Sequence, residues 1–326
     1  MTTGLFKYID PTSYVDTPNN PSGENKPWSS VDDGGKSFLL KDHEYPVHNI
    51  RGNEDQYGPN VSGFGVYHSP AQEKSFTDDK TIRTAYYPEV EALVREKMSG
   101  VKKVVIFDHT IRRHDKSSPR QPVQQVHVDQ TPNAAAVRVR RHLPAEEAEQ
   151  LLKGRYQIIN VWRPIGHAAS DFPLAVVDWR STSPEDLIKV DLLYPKRTTS
   201  PSSQTKDSGY SSSSNEDDDR GKEKLPAHSD GLDTSKYEVK GETYAVAPSK
   251  THKFFYMKDM TPDEAMFIKC FDSRSDRFSK SNTEGIHGGH PGVADLTPHT
   301  AFIDPNTPAD AKGRQSIEVR CLVFYE

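Results

Sequence analysis

From residue 101 to the C-terminus the chain is a succession of short runs rich in β-branched and aromatic residues, separated by Pro, Gly, Asn and Asp. Runs of this length and spacing restrict the fold to antiparallel sheets packed or closed on one another, because parallel sheets need long helical crossovers between strands. The strand candidates are 101–113, 123–130, 134–141, 156–164, 173–179, 242–248, 252–259, 264–271, 299–303 and 316–325. Helical spacing is clearest over 78–100, where Tyr86, Val90, Leu93 and Val94 share one side and Gly100 supplies a stop. A second, shorter helix is expected over 144–154. The class expected is mainly β, with flanking helices.

Two regions depart from this pattern. Residues 1–47, rich in Pro, Asn, Gly and Asp with scattered aromatics, read as an N-terminal arm preceding a single domain over 48–326. Residues 196–236, dominated by Ser, Asp and Lys, carry too little apolar surface to offset ordering entropy and read as a disordered insert between two strands.

Composition narrows the partners. A net charge of −5 gives no polycationic surface for nucleic acid, and no apolar run approaches a membrane span. Cys270 and Cys321 are too few for a disulfide framework. Together with an N-terminus that lacks a secretory signal, they point to a soluble, cytoplasmic protein. Oligomeric state is not legible.

The chemistry begins at "QQVHVDQTP" (124–132). Alternate residues of a strand share a face, so His127 and Asp129 point together, as half of a facial triad of two His and one carboxylate for Fe(II). The third ligand must come from a later strand. His299, after Pro298 at the start of a short apolar run, is the first choice and His252 its competitor. His287 and His290 lie in the glycine-rich "EGIHGGHPG", which suits a lid better than a ligand.

The final run, "GRQSIEVRCLVFYE", places Arg314, Ser316, Glu318 and Arg320 on one face and Ile317, Val319, Cys321 and Val323 on the other. A half-buried guanidinium calls for an anion: a protein carboxylate, with Glu318 one candidate for Arg320, or the carboxylate of 2-oxoglutarate. In "YQIINVWRPI", Asn160 and Trp162 alternate with Arg163. Trp162 would wall a site and Arg163 would bind a carboxylate there, or both are edge-strand residues.

Nine blocks in this order, "GFGVYHSP", "YYPEVEALV", "VVIFDHTIRR", "HVDQTP", "NVWRPI", "PLAVVDWRS", "MTPDEAMFIKCFDS", "PHTAFIDP" and "RQSIEVRCLVFYE", resemble the hydroxylase/desaturase family of fungal secondary metabolism. Its members include aspergillic-acid-type hydroxylases, gibberellin-desaturase-like and cephalosporin-methoxylase-related proteins. The resemblance spans 48–326 outside the insert. It implies a double-stranded β-helix (jelly roll) and Fe(II)/2-oxoglutarate-dependent dioxygenase activity on a small amino-acid- or peptide-derived metabolite, ending in hydroxylation, desaturation or ring closure such as C–N bond formation. His127, Asp129 and His299 match the iron positions, Arg320 and Arg314 are the candidates for 2-oxoglutarate, and Trp162, Arg163, Asn160 and His252 are candidates for contacting substrate. The sequence departs from the family in the long insert and in "HGGHPGVADL" before His299. Two rival readings are a non-catalytic jelly-roll binding module, since jelly rolls host many functions, and a methyltransferase. The second would need a Gly-rich turn between strand and helix, and "HGGHPG" runs instead into Pro and a further strand.

Overall fold

The computed structural model describes residues 1–14, 20–23, 26–31, 34–115, 118, 120–196, 234–275 and 292–326. The strands are β1 Thr2–Ile9, β2 Trp28–Ser30, β3 Leu40–Asn49, β4 Phe64–His68, β5 Val101–Arg113, β6 His127–Val128, β7 Tyr156–Pro164, β8 Leu174–Val177, β9 Leu187–Pro195, β10 Tyr237–Val246, β11 Phe254–Tyr256, β12 Glu264–Asp272, β13 His299–Ala301 and β14 Gln315–Tyr325. Contacts divide the chain into a larger unit (1–11, 40–189, 242–326) and a smaller one (12–39, 190–241). In the larger unit one sheet runs β1-β3-β11-β8-β13-β6-β10 and a second runs β4-β12-β7-β14-β5. This is the mainly β, curled-sheet architecture of a jelly roll.

The second sheet carries the larger share of the buried strand residues. Strand β7 lies between β12 and β14 and is buried along its whole length, because both faces are covered. Ile159, Val161, Phe267, Ile317, Val319, Cys321 and Val323 pack with Ile82, Tyr86, Val90, Leu93 and Val94 of the helical segment. That segment begins at Asp78, whose side chain accepts from Thr81 N–H, and continues through a π turn Ile82–Tyr86 into helix Tyr87–Lys97, with Pro88 in its first turn. On the opposite face Trp162, Met266, Ile268, Phe64 and Leu322 join Val128, Val176 and Tyr244 of the first sheet in one core cluster. The face that β7, β12 and β14 share with the first sheet is therefore the inner one.

Two expectations change. The run 134–141 is not a strand but part of helix Pro132–His142. Its Val-Arg alternation imitates a strand, yet Thr131 caps Ala134 N–H and Pro132 occupies the first turn, so Ala135 and Val139, four residues apart, turn inward while Val137 stays exposed. Residues 2–9, read as part of an arm, form β1, which pairs antiparallel with β3 from Thr2↔Val47 to Ile9↔Leu40. A glycine in the middle of the run and an outward Leu5 mask its alternation, but Phe6 and Tyr8 are fully buried and Phe6 stacks on Phe254 with centroids 3.8 Å apart. Its Lys7 carbonyl accepts from Val126 N–H at 2.9 Å, bracing the backbone just before His127.

In the smaller unit β2 runs parallel to β9, and Trp28 packs with Leu193 and Tyr237. Most of the 196–236 segment, and His287 and His290 with it in the 276–291 stretch, lie outside the described residues. The ends of the first segment meet: Lys196 N–H donates to Lys236 O at 2.7 Å. Replacing 200–232 by a short Gly/Ser linker is therefore expected to shift Tm by only a few degrees and to leave turnover intact, since each halving of a loop changes closure by about 0.6 kcal/mol. Differential scanning of the deletion variant checks this, and a large loss of Tm or activity would give the segment a part in fold or site.

Candidate metal centre

Three short strands or strand ends bring the site together. His127 on β6 and His299 on β13 are direct cross-strand partners, with ring centroids 4.5 Å apart. Asp129 follows β6 by one residue, on the same side as His127. Ligand atoms of His127, Asp129 and His299 all lie within 4.8 Å of one another, and Asp129 Oδ1 is 3.4 Å from His127 Nε2 and 3.9 Å from His299 Nε2. This is the spacing at which one ion can meet all three.

The surrounding hydrogen bonds choose which atoms are offered. His127 Nδ1–H donates to Gln125 O at 2.7 Å and His299 Nδ1–H to Thr297 O at 3.0 Å. A carbonyl can only accept, so the proton of each neutral ring sits on Nδ1 and the Nε2 lone pair faces the site. Burial, then the neighbouring His127, pushes His299 down to about 4, which keeps its imidazole neutral at physiological pH. Burial alone would raise Asp129; its charged surroundings, Arg320 among them, instead hold it well below the usual carboxylate range. Asn160 Nδ2–H donates to Asp129 Oδ2 at 2.8 Å, leaving Oδ1 toward the histidines. Two imidazoles that offer Nε2 and one oriented carboxylate are the donor set suited to Fe(II) with exchangeable positions.

Beside this centre, β14 and β5 present charged groups on the same inner face, paired Ser316↔Arg112, Glu318↔Thr110 and Arg320↔Asp108. Arg320 is already engaged: its Nε lies 2.7 Å from Asp108 Oδ1 and its Nη2–H donates to Thr110 Oγ1 at 2.6 Å. Its partner is thus Asp108 rather than Glu318. Burial, then the nearby Asp129, raises the Glu318 carboxyl. Arg314 is only 2% exposed; Nη1–H donates to Phe172 O at 2.7 Å, the guanidinium lies 5.6 Å over the Trp162 ring, and Nε has no hydrogen-bond partner among the described residues. Burial, then the Arg112 charge, pushes Arg314 down to about 9. A buried guanidinium in that state is stabilised by an incoming anion.

The other expected site residues divide. Asn160 and Trp162 face inward, Asn160 as the orienting donor for Asp129, a role not foreseen from the strand pattern. Arg163 points the other way, where its Nε–H donates to Tyr86 Oη at 2.9 Å and its Nη1–H to Pro262 O at 2.6 Å, tying β7 to the π turn that leads into the covering helix. The period of two that put Trp162 inward put Arg163 outward. His252 is held between Tyr8 Oη (2.8 Å) and Asp186 Oδ2 (3.1 Å), and both ring nitrogens are used there, so it takes no place in the triad. Read alone, "DHTIRR" is a polar turn with local ion pairs; it is instead the end of β5, where Asp108 and Thr110 meet Arg320 across the pairing with β14.

Two curled sheets, antiparallel in the larger unit except where β11 runs parallel to β3, around an inward His-Asp-His cluster are the arrangement of an oxygenase jelly roll. The chain matches the family model described as "Oxidoreductase/YMDC permease-like domain" over residues 6–216 and 225–324. It is 30% identical to hydroxylase/desaturase efuI of Hormonema carpetanum, across 86% of this chain and 83% of that protein. It is also 30% identical to the Fe(II)/2-oxoglutarate-dependent dioxygenase nvfI of Aspergillus novofumigatus, across 88% of this chain and 85% of that one. The solved structure of the iron and alpha-ketoglutarate-dependent endoperoxidase NvfI superposes with a TM-score of 0.71 at 25% identity, covering 99% of this chain and 97% of that one. The chain belongs to this fungal hydroxylase/desaturase family of Fe(II)/2-oxoglutarate-dependent oxidoreductases.

Proposed function

We propose that the chain oxidises a small amino-acid- or peptide-derived metabolite in secondary-metabolite biosynthesis, with O₂ and 2-oxoglutarate as co-substrates and Fe(II) held by His127, Asp129 and His299. The observation that carries this is the convergence of those three donors within 4.8 Å, with both Nε2 atoms freed by Nδ1–H bonds to backbone carbonyls. Iron in such a site supplies oxidation by O₂ coupled to decarboxylation of 2-oxoglutarate to succinate. The product is a hydroxylated, desaturated or ring-closed metabolite, including one closed by a C–N bond.

The chain's own residues do the rest. Asn160 holds one Asp129 oxygen so that the other stays directed at the histidines. Arg314, buried with an unpartnered Nε, anchors the distal carboxylate of 2-oxoglutarate, whereas Arg320 is committed to Asp108 and stiffens the β5–β14 pair. Trp162 holds the Arg314 guanidinium flat and, with Met266, Ile268 and Leu322 in the same core cluster, presents an apolar wall that keeps water from the reacting centre. Two buried, free cysteines fit a reducing compartment, in line with the cytoplasm. No helix among the described residues is long and apolar enough to cross a membrane.

Anaerobic titration with Fe(II) and 2-oxoglutarate tests the reading. It should produce the weak visible charge-transfer band of the chelate, and admission of O₂ should yield succinate. Absence of both would leave the site as a non-catalytic binding centre.

A further inference from the structure

The third ligand stands at the very start of its strand. His299 opens β13, three residues long, which pairs along its length with β8 and meets β6 through the single pair His299↔His127. The segment before it, from Ala294 to Thr297, is almost fully buried but belongs to no strand. Beyond the bond that Pro298 O accepts from Val177 N–H at 2.8 Å, this segment is held from the side, by the 60–63 turn and by Lys269 of β12.

At one end of the segment Thr297 Oγ1–H donates to Gly63 O at 2.6 Å, and the carbonyl of the same Thr297 accepts the His299 Nδ1–H that fixes the ring. Gly63 has φ +91°, a conformation that side chains strain to adopt, and a Cβ built there would stand 2.4 Å from Thr297 Oγ1 and 3.2 Å from Leu296 O. Lys269 N–H donates to Gly63 O as well, at 2.8 Å. At the other end Lys269 Nζ, fully buried, divides its three protons among Asn60 Oδ1 (2.8 Å), Asp272 Oδ2 (2.8 Å) and Ala294 O (3.0 Å), while Ala294 N–H donates to Asn60 O at 3.3 Å. A buried ammonium is a costly way to gain stability, since a well-packed apolar side chain of like volume is often no worse. What it does offer is three fixed bonds at once, one of them to the backbone that leads to the ligand.

We propose that Gly63 and Lys269 are positioning residues for the third metal ligand: by clamping residues 294–297 at both ends they set the direction of the His299 imidazole. The inference rests on the metal-centre reading above. A site of this kind tolerates displacements of about 0.2 Å in its bond lengths, and loss of a hydrogen bond that orients a ligand lowers metal affinity by roughly ten- to a hundredfold. Shifting Thr297 moves the acceptor that holds His299 Nδ1, so both effects follow from one backbone displacement.

The test uses Co(II), whose visible d–d bands report coordination, titrated anaerobically into the full chain at a temperature well below the Tm of each variant. Thr297→Val keeps volume and removes only the donor to Gly63 O; Gly63→Ala inserts the clashing Cβ; Lys269→Met removes the three-way clamp. Each is expected to weaken Co(II) binding by about ten- to a hundredfold and to change the band intensities. Gln157→Leu is the control: Gln157 Nε2–H donates to Asp272 in the same network, at 2.5 Å, without touching 294–297. It should lower Tm and leave Co(II) affinity within about twofold of wild type, well inside the effect expected of an orienting bond. If Lys269→Met does not fold, Thr297→Val and Gly63→Ala decide the matter. Wild-type affinity and spectra in both, whatever their Tm, would overturn the inference and reduce the clamp to a packing device. Failure of wild-type protein to bind Co(II) through the triad would instead sink the metal-centre reading itself.

Discussion

An alanine at position 127 or 129 is expected to abolish succinate formation and to weaken Fe(II) binding by more than about a hundredfold, the range that loss of a mere orienting bond already reaches. The fold should survive, because neither side chain belongs to a core cluster and removal of Asp129 also removes a negative charge that acts on the half-buried Glu318. His299→Ala should lose metal equally. His252→Ala should keep it while lowering Tm, since that ring ties Tyr8 to Asp186 within a separate buried cluster. Asn160→Ala leaves all three ligands in place and should cost about ten- to a hundredfold in metal affinity, by releasing Asp129 Oδ2. Anaerobic metal titrations with circular dichroism on each variant separate the outcomes. Normal metal binding by the His127 or Asp129 variant would remove the centre from the mechanism.

Leucine at 314 is expected to raise the 2-oxoglutarate concentration for half-maximal succinate formation by roughly ten- to a hundredfold, as a charge-assisted bidentate contact is worth about 1.5–3 kcal/mol. Fe(II) affinity should hardly move. Lysine at the same place should recover only part of the loss, since a point charge cannot reproduce the planar fork over Trp162. Arg320→Leu should behave differently. It removes one side of the buried pair with Asp108, 4% exposed, and should lower Tm, while the 2-oxoglutarate dependence of the folded fraction stays near wild type. The opposite pattern would hand the anchoring role to Arg320. If neither curve shifts, the co-substrate carboxylate is held by another inner-face cation, with Arg112 the nearest in register.

Local spacing alone determined a good part of this protein. The period of two placed His127 with Asp129, and Arg314, Ser316, Glu318 and Arg320 with one another. Successive short β-branched runs restricted the class to layered antiparallel sheets, and the helix near 78–100 was written in its own cap and apolar stripe. These are properties of a few neighbouring residues, and the backbone geometry of a strand or helix enforces them wherever the segment ends up. Even there, the Val-Arg alternation of 134–141 misled, because an N-cap and two inward residues four apart outweighed it.

What the tertiary structure decided is which faces meet. Nothing near His252 or His299 in the chain says that β13 lies beside β6 while His252 is taken by Tyr8 and Asp186. Nor does the last strand reveal that Asp108, across β5, neutralises Arg320 and leaves Arg314 with an unpartnered nitrogen. Arg163 could only be assigned outward once the covering helix was seen to supply Tyr86. Each of these outcomes depends on pairings between residues tens to hundreds of positions apart, where the free energy comes from burying whole faces and satisfying the charges they carry, and no short window of sequence contains both partners.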